Sequence, residues 1–315
     1  MIKKLTNIQP FNDFNFYSCY FNSLIASCEY YHVDYINIVT NYISRYYQED
    51  QTFYMKYTEV ELMDDILERS GLYLQEYKHD TSFIEFCKTA IDLGAPVLTN
   101  VDWFYMSNLK SVYGKVHRFH TVLVIGYDEE KRIFNIFDQR FVDTLTYHEC
   151  EIPYDDLVNA NAEYTKKIKD SAWAVHKILQ KTEKNQPIDY KELYLKHIMN
   201  QYVLEERIAV LERIKENMPV ILKNTFNNNI VPLLVENLNQ ITNHKFVERY
   251  LVNHLLHDSI IENNIGITMD KWAVIRTRIL KCSFIEKINN EDIKIINQEM
   301  DDIIQGEKNL KNMII

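Results

Sequence analysis

The stretch Phe119–Arg140, FHTVLVIGYDEEKRIFNIFDQR, reads as two strands, His120–Tyr127 and Arg132–Asp138, joined by a polar turn at Asp128, Glu129, Glu130 and Lys131. The first strand opens on a histidine and continues through Val122, Leu123, Val124 and Ile125; the second closes on an aspartate. A hairpin so built brings His120 and Asp138 to the same end of a sheet. Imidazole titrates near neutrality, and a carboxylate on its other nitrogen sets the tautomer and stabilises the cation. The pair predicts a base with its orienting acid, and the nucleophile it serves has to come from far away in the chain. Cys19 is the leading candidate. From Cys19 the sequence CYFNSLIASCEYY predicts a helix with Leu24, Ile25 and Cys28 at helical spacing. A thiol in a first helical turn faces unpaired N–H groups and the positive end of the dipole, which favours thiolate over thiol.

Each of these residues has a competitor or a plainer role. A free thiol usually just packs in a core, and Cys28, one helical face further on, fits that role. His117 competes with His120 as the base, but it sits in the loop, whereas His120 adjoins the apolar strand that would hold it. Asp143 and Asp128 compete with Asp138, and Asp128 fits a turn position. The HxxH pairs His117/His120 and His254/His257 offer two ligands without a third at suitable spacing, so no metal site is expected.

Working outward, residues 1–18 read as irregular. Amphipathic helices are expected near Asp34–Tyr47 and over Thr58–Ser70, the latter with Thr58 and Glu61 as a capping box and Gly71 as its stop. A strand at Leu72–Tyr77 and a helix with Ser82 and Glu85 as a second box, closed by Gly94, follow. From Pro96 the pattern turns to sheet: PVLTNVDWFYM, the hairpin, Thr144–Cys150 and Ser171–Leu179, with Pro153 placed to open a short helix. After Pro187 the texture changes. Leu204, Ile208 and Leu211, then Trp272, Ile275 and Ile279, then Ile293, Ile296, Met300 and Ile303 all keep a helical period. The fold class expected is α+β: a domain over 1–183 of N-terminal helices plus an antiparallel sheet, followed by an all-α domain over 184–315, the boundary near Thr182–Pro187. In that second domain, Glu205 and Glu206 with Arg207 and Arg213 read as solvated helix faces.

Composition narrows the function. The 315 residues are 46% hydrophobic, ample for more than one core, and carry a net charge of −10. That balance, with no long Lys/Arg run, argues against a nucleic-acid partner. Cys19, Cys28, Cys87, Cys150 and Cys282 are odd in number and lack CxxC spacing, which disfavours a disulfide framework or structural zinc. No signal-peptide core follows MIKKLTNIQPF and no run reaches the roughly 18 apolar residues of a spanning helix, so no membrane partner and a cytoplasmic location are expected.

The order Cys, His, Asp, with the thiol opening a helix and the imidazole opening a strand, resembles the papain-like cysteine superfamily. Within it, YSCYFNSLIASCEYY, GAPVLTNVDWFYM, HRFHTVLVIGYD and IFNIFDQRF look most like the N-terminal domain of butirosin biosynthesis protein H, a branch close to the bacteriocin-processing peptidases; the likeness covers roughly residues 10–180. It implies acyl transfer in specialised-metabolite biosynthesis. An acyl carrier protein would present a thioester on its phosphopantetheine arm, Cys19 would take the acyl group, His120 would serve Cys19 and the incoming amine, and Asp138 would hold His120. No bound cofactor is implied. The backbone N–H of Cys19 would be one oxyanion donor; where papain-like peptidases carry a Gln upstream, this chain has Asp13, with Asn12 and Asn15 as nearby substitutes. Asp102, Trp103 and Tyr105, ending the Pro96 strand, and Gln139, beside Asp138, are the expected substrate contacts, a carboxylate and ring faces suiting a cationic amine acceptor. Three functions remain in view: a cysteine acyltransferase or thioesterase delivering to an amine or water, a papain-like peptidase acting on a peptide, and a non-catalytic protein-interaction module.

Overall fold

The computed structural model describes residues 1–49, 52–77, 82–139, 146–167, 175–180, 189–227, 230–285 and 287–314. In chain order the first elements are β1 (Ile2–Lys4), α1 (Cys19–Tyr30), α2 (Ile36–Val39), β2 (Tyr42–Glu49), β3 (Thr52–Glu59), α3 (Met63–Arg69), β4 (Leu72–Glu76) and α4 (Phe83–Asp92). Next come β5 (Val97–Asp102), β6 (Phe119–Asp128), β7 (Ile133–Gln139), β8 (Tyr147–Pro153), α5 (Tyr154–Lys167) and β9 (Val175–Gln180). The rest is helical: α6 (Tyr190–His197), α7 (Gln201–Asn227), α8 (Val231–Leu251), α9 (Ser259–Phe284) and α10 (Asn290–Ile314). The chain divides into two compact units, Met1–Asn37 with Leu62–Pro187, and Ile38–Glu61 with Ile188–Ile315. Among the described residues no helix is long and apolar enough to cross a membrane.

The first unit is built on an antiparallel sheet in the order β4-β9-β5-β6-β7-β8. β6 is central. Val122, Leu123, Val124 and Ile125 are all fully buried, a continuous apolar run rather than an alternation, because α1 and α4 pack on this strand and α5 on its neighbour β5. The first half of β6 pairs with β5 and its far end with β1, and the pairing with β7 carries a bulge between Val124 and Gly126. Gly126 is needed at that crossing, since a Cβ there would lie 2.9 Å from the backbone oxygen of Lys3. The turn after β6 is held by Asp128, whose Oδ1 accepts the N–H groups of Glu130 and Lys131 at 3.0 and 3.1 Å.

Local signals held where tertiary pairing did not compete. Ser82 accepts the Glu85 N–H at 3.1 Å at the start of α4, and Gly71 and Gly94 end their helices at φ +81 and +80. Pro153 does precede a helix, though α5 runs for 14 residues and is not short. The capping box at Thr58 and Glu61 does not form. Thr58 lies in β3 opposite Ile43, and α3 begins at Met63 with no side-chain cap. The helix expected over Asp34–Tyr47 is likewise only the short turn α2, followed by β2. In β2, Tyr42, Ser44 and Tyr46 are buried at a period of two. The expected boundary at Thr182–Pro187, Thr144 of the expected fourth strand and 171–174 of the last lie outside the described residues.

The second unit joins α6–α10 to the β2–β3 hairpin, so residues 38–61, expected with the N-terminal domain, belong with the helices. Tyr46 and Phe53 put their rings 6.1 and 5.9 Å from the fully buried Trp272, among Leu211, Ile275, Ile279, Ile296, Met300 and Ile303. α8 escaped the periodicity because its buried face carries Asn237, His244, Lys245 and Glu248. Arg207 corrects the reading of α7 as a solvated charge face. It is 2% exposed, pairs with Glu248 at 2.5 Å and donates to Ser44 Oγ at 2.8 Å, while Lys245 pairs with Glu248 at 2.7 Å and with Glu307. Two cations and two carboxylates thus neutralise one another away from water.

Gly126→Ala should destabilise the first unit by about 1–3 kcal/mol through displacement of β1, as overpacking does. Urea unfolding followed by Trp103 fluorescence, in a background where Trp173 and Trp272 are replaced by Phe, checks this, and an unchanged midpoint would refute it.

Candidate active site

α1 starts at Cys19 because the chain before it is pinned. Ser18, extended at φ −158, occupies the cap position but makes no side-chain bond to the helix, leaving the first N–H groups uncapped by it. Buried Asn22, three residues into the helix, accepts the Phe16 N–H at 3.3 Å and donates to the Phe14 oxygen at 3.2 Å, tying the incoming segment to the first turn. Tyr17 holds a left-handed φ of 56, its ring stacked 5.2 Å from Phe21.

The helix sets Cys19 against the opening of β6. Burial opposes ionisation of this thiol, yet the charge of His120, with hydrogen bonds from His120 and Thr121, outweighs it and holds the thiol below its ordinary value. Burial likewise opposes the His120 cation, and the charges of Cys19 and Asp138 with their hydrogen bonds overcome it, pushing the imidazole up to about 10. The lowered thiol and the raised imidazole each favour the charged form of the other, the direction of a thiolate–imidazolium pair. The other cysteines behave oppositely. Burial pushes Cys28, Cys87 and Cys150 up, and Cys282 to about 11.

Asp138, fully buried at the end of β7, is organised on both oxygens. Oδ1 meets His120 Nε2 at 2.7 Å and accepts the Gln139 N–H at 2.6 Å; Oδ2 accepts Asn108 Nδ2 at 2.6 Å. With Nε2 committed to Asp138, Nδ1 is the nitrogen left for the thiol. Trp103 covers the imidazole, ring centroids 5.3 Å apart. Cys19, His120 and Asp138 are therefore brought together, with Trp103 and the backbone of Gln139 beside them.

Other expected residues are placed elsewhere. Asp102 is fully buried and spent internally: it accepts the Phe104 N–H at 3.1 Å, His117 Nδ1 at 2.8 Å and Lys167 Nζ at 2.6 Å, so it does not face a substrate amine. His117 is thereby paired away from Cys19 and stacks on Phe104 at 4.3 Å. Tyr105 lies half-buried beside Phe104 and His117. Asn12 donates to the Tyr147 oxygen at 2.9 Å and accepts the Tyr147 N–H at 2.8 Å, which occupies its amide in holding β8. Asn15, four residues before Cys19, is half-buried. Asp143 lies outside the described residues.

Asn108 and Asn22 were not anticipated. Asn108 sits in the loop after β5, where Met106, Leu109 and Val112 are buried at intervals of three. That spacing is the one local signal that the loop folds inward and aims a polar side chain at the sheet end.

With the sheet and the buried pair in place, comparison with known families gives a match for the middle of the chain. Residues 37–139 match the family described as Butirosin biosynthesis protein H, N-terminal. This agrees with the resemblance carried by GAPVLTNVDWFYM, HRFHTVLVIGYD and IFNIFDQRF. The family match takes in Trp103, Asn108, His120 and Asp138, and starts after Cys19, whose place rests on the geometry above. Comparison with curated proteins finds no match.

Alkylation of Cys19 by iodoacetamide should persist below the ordinary thiol range, because the thiolate is lost only as pH falls through its lowered value. His120→Ala removes the counter-charge and leaves the burial penalty, so the rate at pH 7 should drop at least about tenfold. An unshifted profile in that variant, read by mass spectrometry of the Cys19 peptide, would contradict the pairing. Asn108→Ala should shift the same profile upward by a smaller amount, since it loosens Asp138 without removing the imidazole; a profile identical to wild type would make Asn108 a bystander.

Proposed function

We propose that this protein is a biosynthesis-related cysteine acyltransferase or thioesterase that takes an acyl group from a carrier-protein thioester and delivers it to an amine or to water. The observation that carries the reading is the lowered Cys19 thiol facing an imidazole whose far nitrogen lies 2.7 Å from Asp138. The family match supports the biosynthetic setting. The interaction-module reading draws no support from a cysteine so paired.

The chemistry follows from the protonation states. The Cys19 thiolate attacks the thioester carbonyl, and the tetrahedral oxyanion is met by the Cys19 backbone N–H at the head of α1 and the amide of Asn15. The C–S bond to the phosphopantetheine arm breaks, and the departing thiolate takes the proton of the His120 imidazolium. One thioester has replaced another, so this step is nearly balanced in energy. Neutral His120 then removes a proton from the incoming amine or water as it attacks acyl-Cys19. Collapse forms the amide or acid and returns the thiolate–imidazolium pair. Asp138 keeps the imidazole in the tautomer that serves both steps, and Trp103 shields the His120–Asp138 bond from water.

Incubation with acyl-loaded carrier protein should add the mass of one acyl group to the wild-type chain and none to Cys19→Ala. Equal labelling of both would refute the reading, and peptide cleavage lost in Cys19→Ala without any acylation would transfer it to a peptidase.

A further inference from the structure

Immediately before buried His120, seven consecutive residues, Tyr113–Phe119, are exposed. Three are large apolar side chains: Tyr113, Val116 and Phe119 are 45%, 42% and 50% exposed. Exposed apolar groups gathered beside a catalytic histidine are unusual for a face meeting only water. The same stretch is free of acid. From Trp103 to Tyr127 there is no Asp or Glu, while Lys110, Lys115 and Arg118 fall within it, in a chain of net charge −10.

The end of α5 adds to this face. The Phe119 ring lies 5.1 Å from Tyr164, and Lys167 reaches Asp102 and His117. Among the described residues, Asp102 is answered by Lys167 and His117, and Glu163 by Lys166. What the described residues leave toward solvent is basic and aromatic. The collar is also held in shape: Met106, Leu109 and Val112 are buried beneath it, Gly114 donates to the Phe104 oxygen at 2.8 Å, and Trp103 donates to the Arg118 oxygen at 2.9 Å. It is continuous with the catalytic centre, for the Arg118 guanidinium lies 5.0 Å from the Trp103 ring, which covers His120.

We propose that this collar, residues 104–119 with the end of α5, is the docking surface for an acidic face of the carrier protein that brings the acyl thioester to Cys19. The proposal rests on the acyl-transfer reading and adds to it which face receives the partner and by what chemistry. A small soluble donor would need only to reach Cys19. A protein donor needs a surface beyond the reacting atoms, with apolar and aromatic anchors at its centre and charge to steer the encounter. Lys110 and Lys115 supply the charge, and Tyr113, Val116 and Phe119 the anchors. Neither lysine touches Cys19, His120 or Asp138.

The test uses the full chain, acylation of Cys19 as readout, and two donors carrying the same short acyl group: an acidic acyl carrier protein and free pantetheine. Lys110→Glu with Lys115→Glu should raise the half-saturating concentration of the carrier-bound donor about tenfold and flatten the dependence of its rate on NaCl, as removal of steering charges does. The rate with acyl-pantetheine should stay within about twofold, which also shows that the variant is folded. Equal loss with both donors, or no loss with either, would overturn the docking surface and leave acyl transfer standing. A wild-type chain acylated by neither donor would overturn both.

Discussion

The site depends on a thiol and an imidazole whose charged forms favour one another against burial. Burial works against the Cys19 thiolate and against the His120 imidazolium; each is favoured by the other, and Asp138 supplies the second negative contact that raises the basicity of the imidazole. This is why Asp138 must itself be fully committed, to Gln139 and Asn108 as well as to His120. A carboxylate free to rotate at the end of β7 would lose the geometry that sets which imidazole nitrogen meets sulfur.

The sheet exists in the form that this pair requires. His120 and Asp138 lie on adjacent antiparallel strands whose register is set by the bulge at Val124/Gly126 and by the close approach of β1. A one-residue slip would send the histidine to the opposite face. The thiol arrives from α1, whose first turn is fastened by Asn22 to the segment before it. The second unit solves a different problem with the same physics, burying Arg207 and Lys245 against Glu248 and Glu307 so that no charge in that cluster is left without its opposite.

Much of the architecture was legible because it is local. The His120–Asp138 hairpin, its Asp128 turn, the Ser82 cap and the glycine stops at 71 and 94 are all set by residues within a few positions of one another. The long apolar stripes of α7, α9 and α10 are legible for the same reason. What failed did so where distant partners decide. Thr58 and Glu61 form a proper capping box on paper, but the strand pairing of Thr58 with Ile43 takes precedence. Arg207 sits among glutamates on its own helix and reads as solvated, yet its partner comes from α8. Asp102 reads as a carboxylate available for an amine, and is consumed by Lys167 from α5 and His117 from the loop.

By itself the amino-acid sequence determined the class of the fold and the helical character of its last third, and it named Cys19, His120 and Asp138 as candidates, because residue chemistry, strand period and turn composition are properties of neighbouring residues. Only tertiary structure decided that the 42–59 hairpin belongs with the helices, that Asn108 steadies Asp138, that Asp102 is spoken for, and that an acid-free aromatic collar borders His120. Each of those depends on side chains meeting across long stretches of chain, and burial, which sets whether a charge is tolerated, does not exist until the chain has folded.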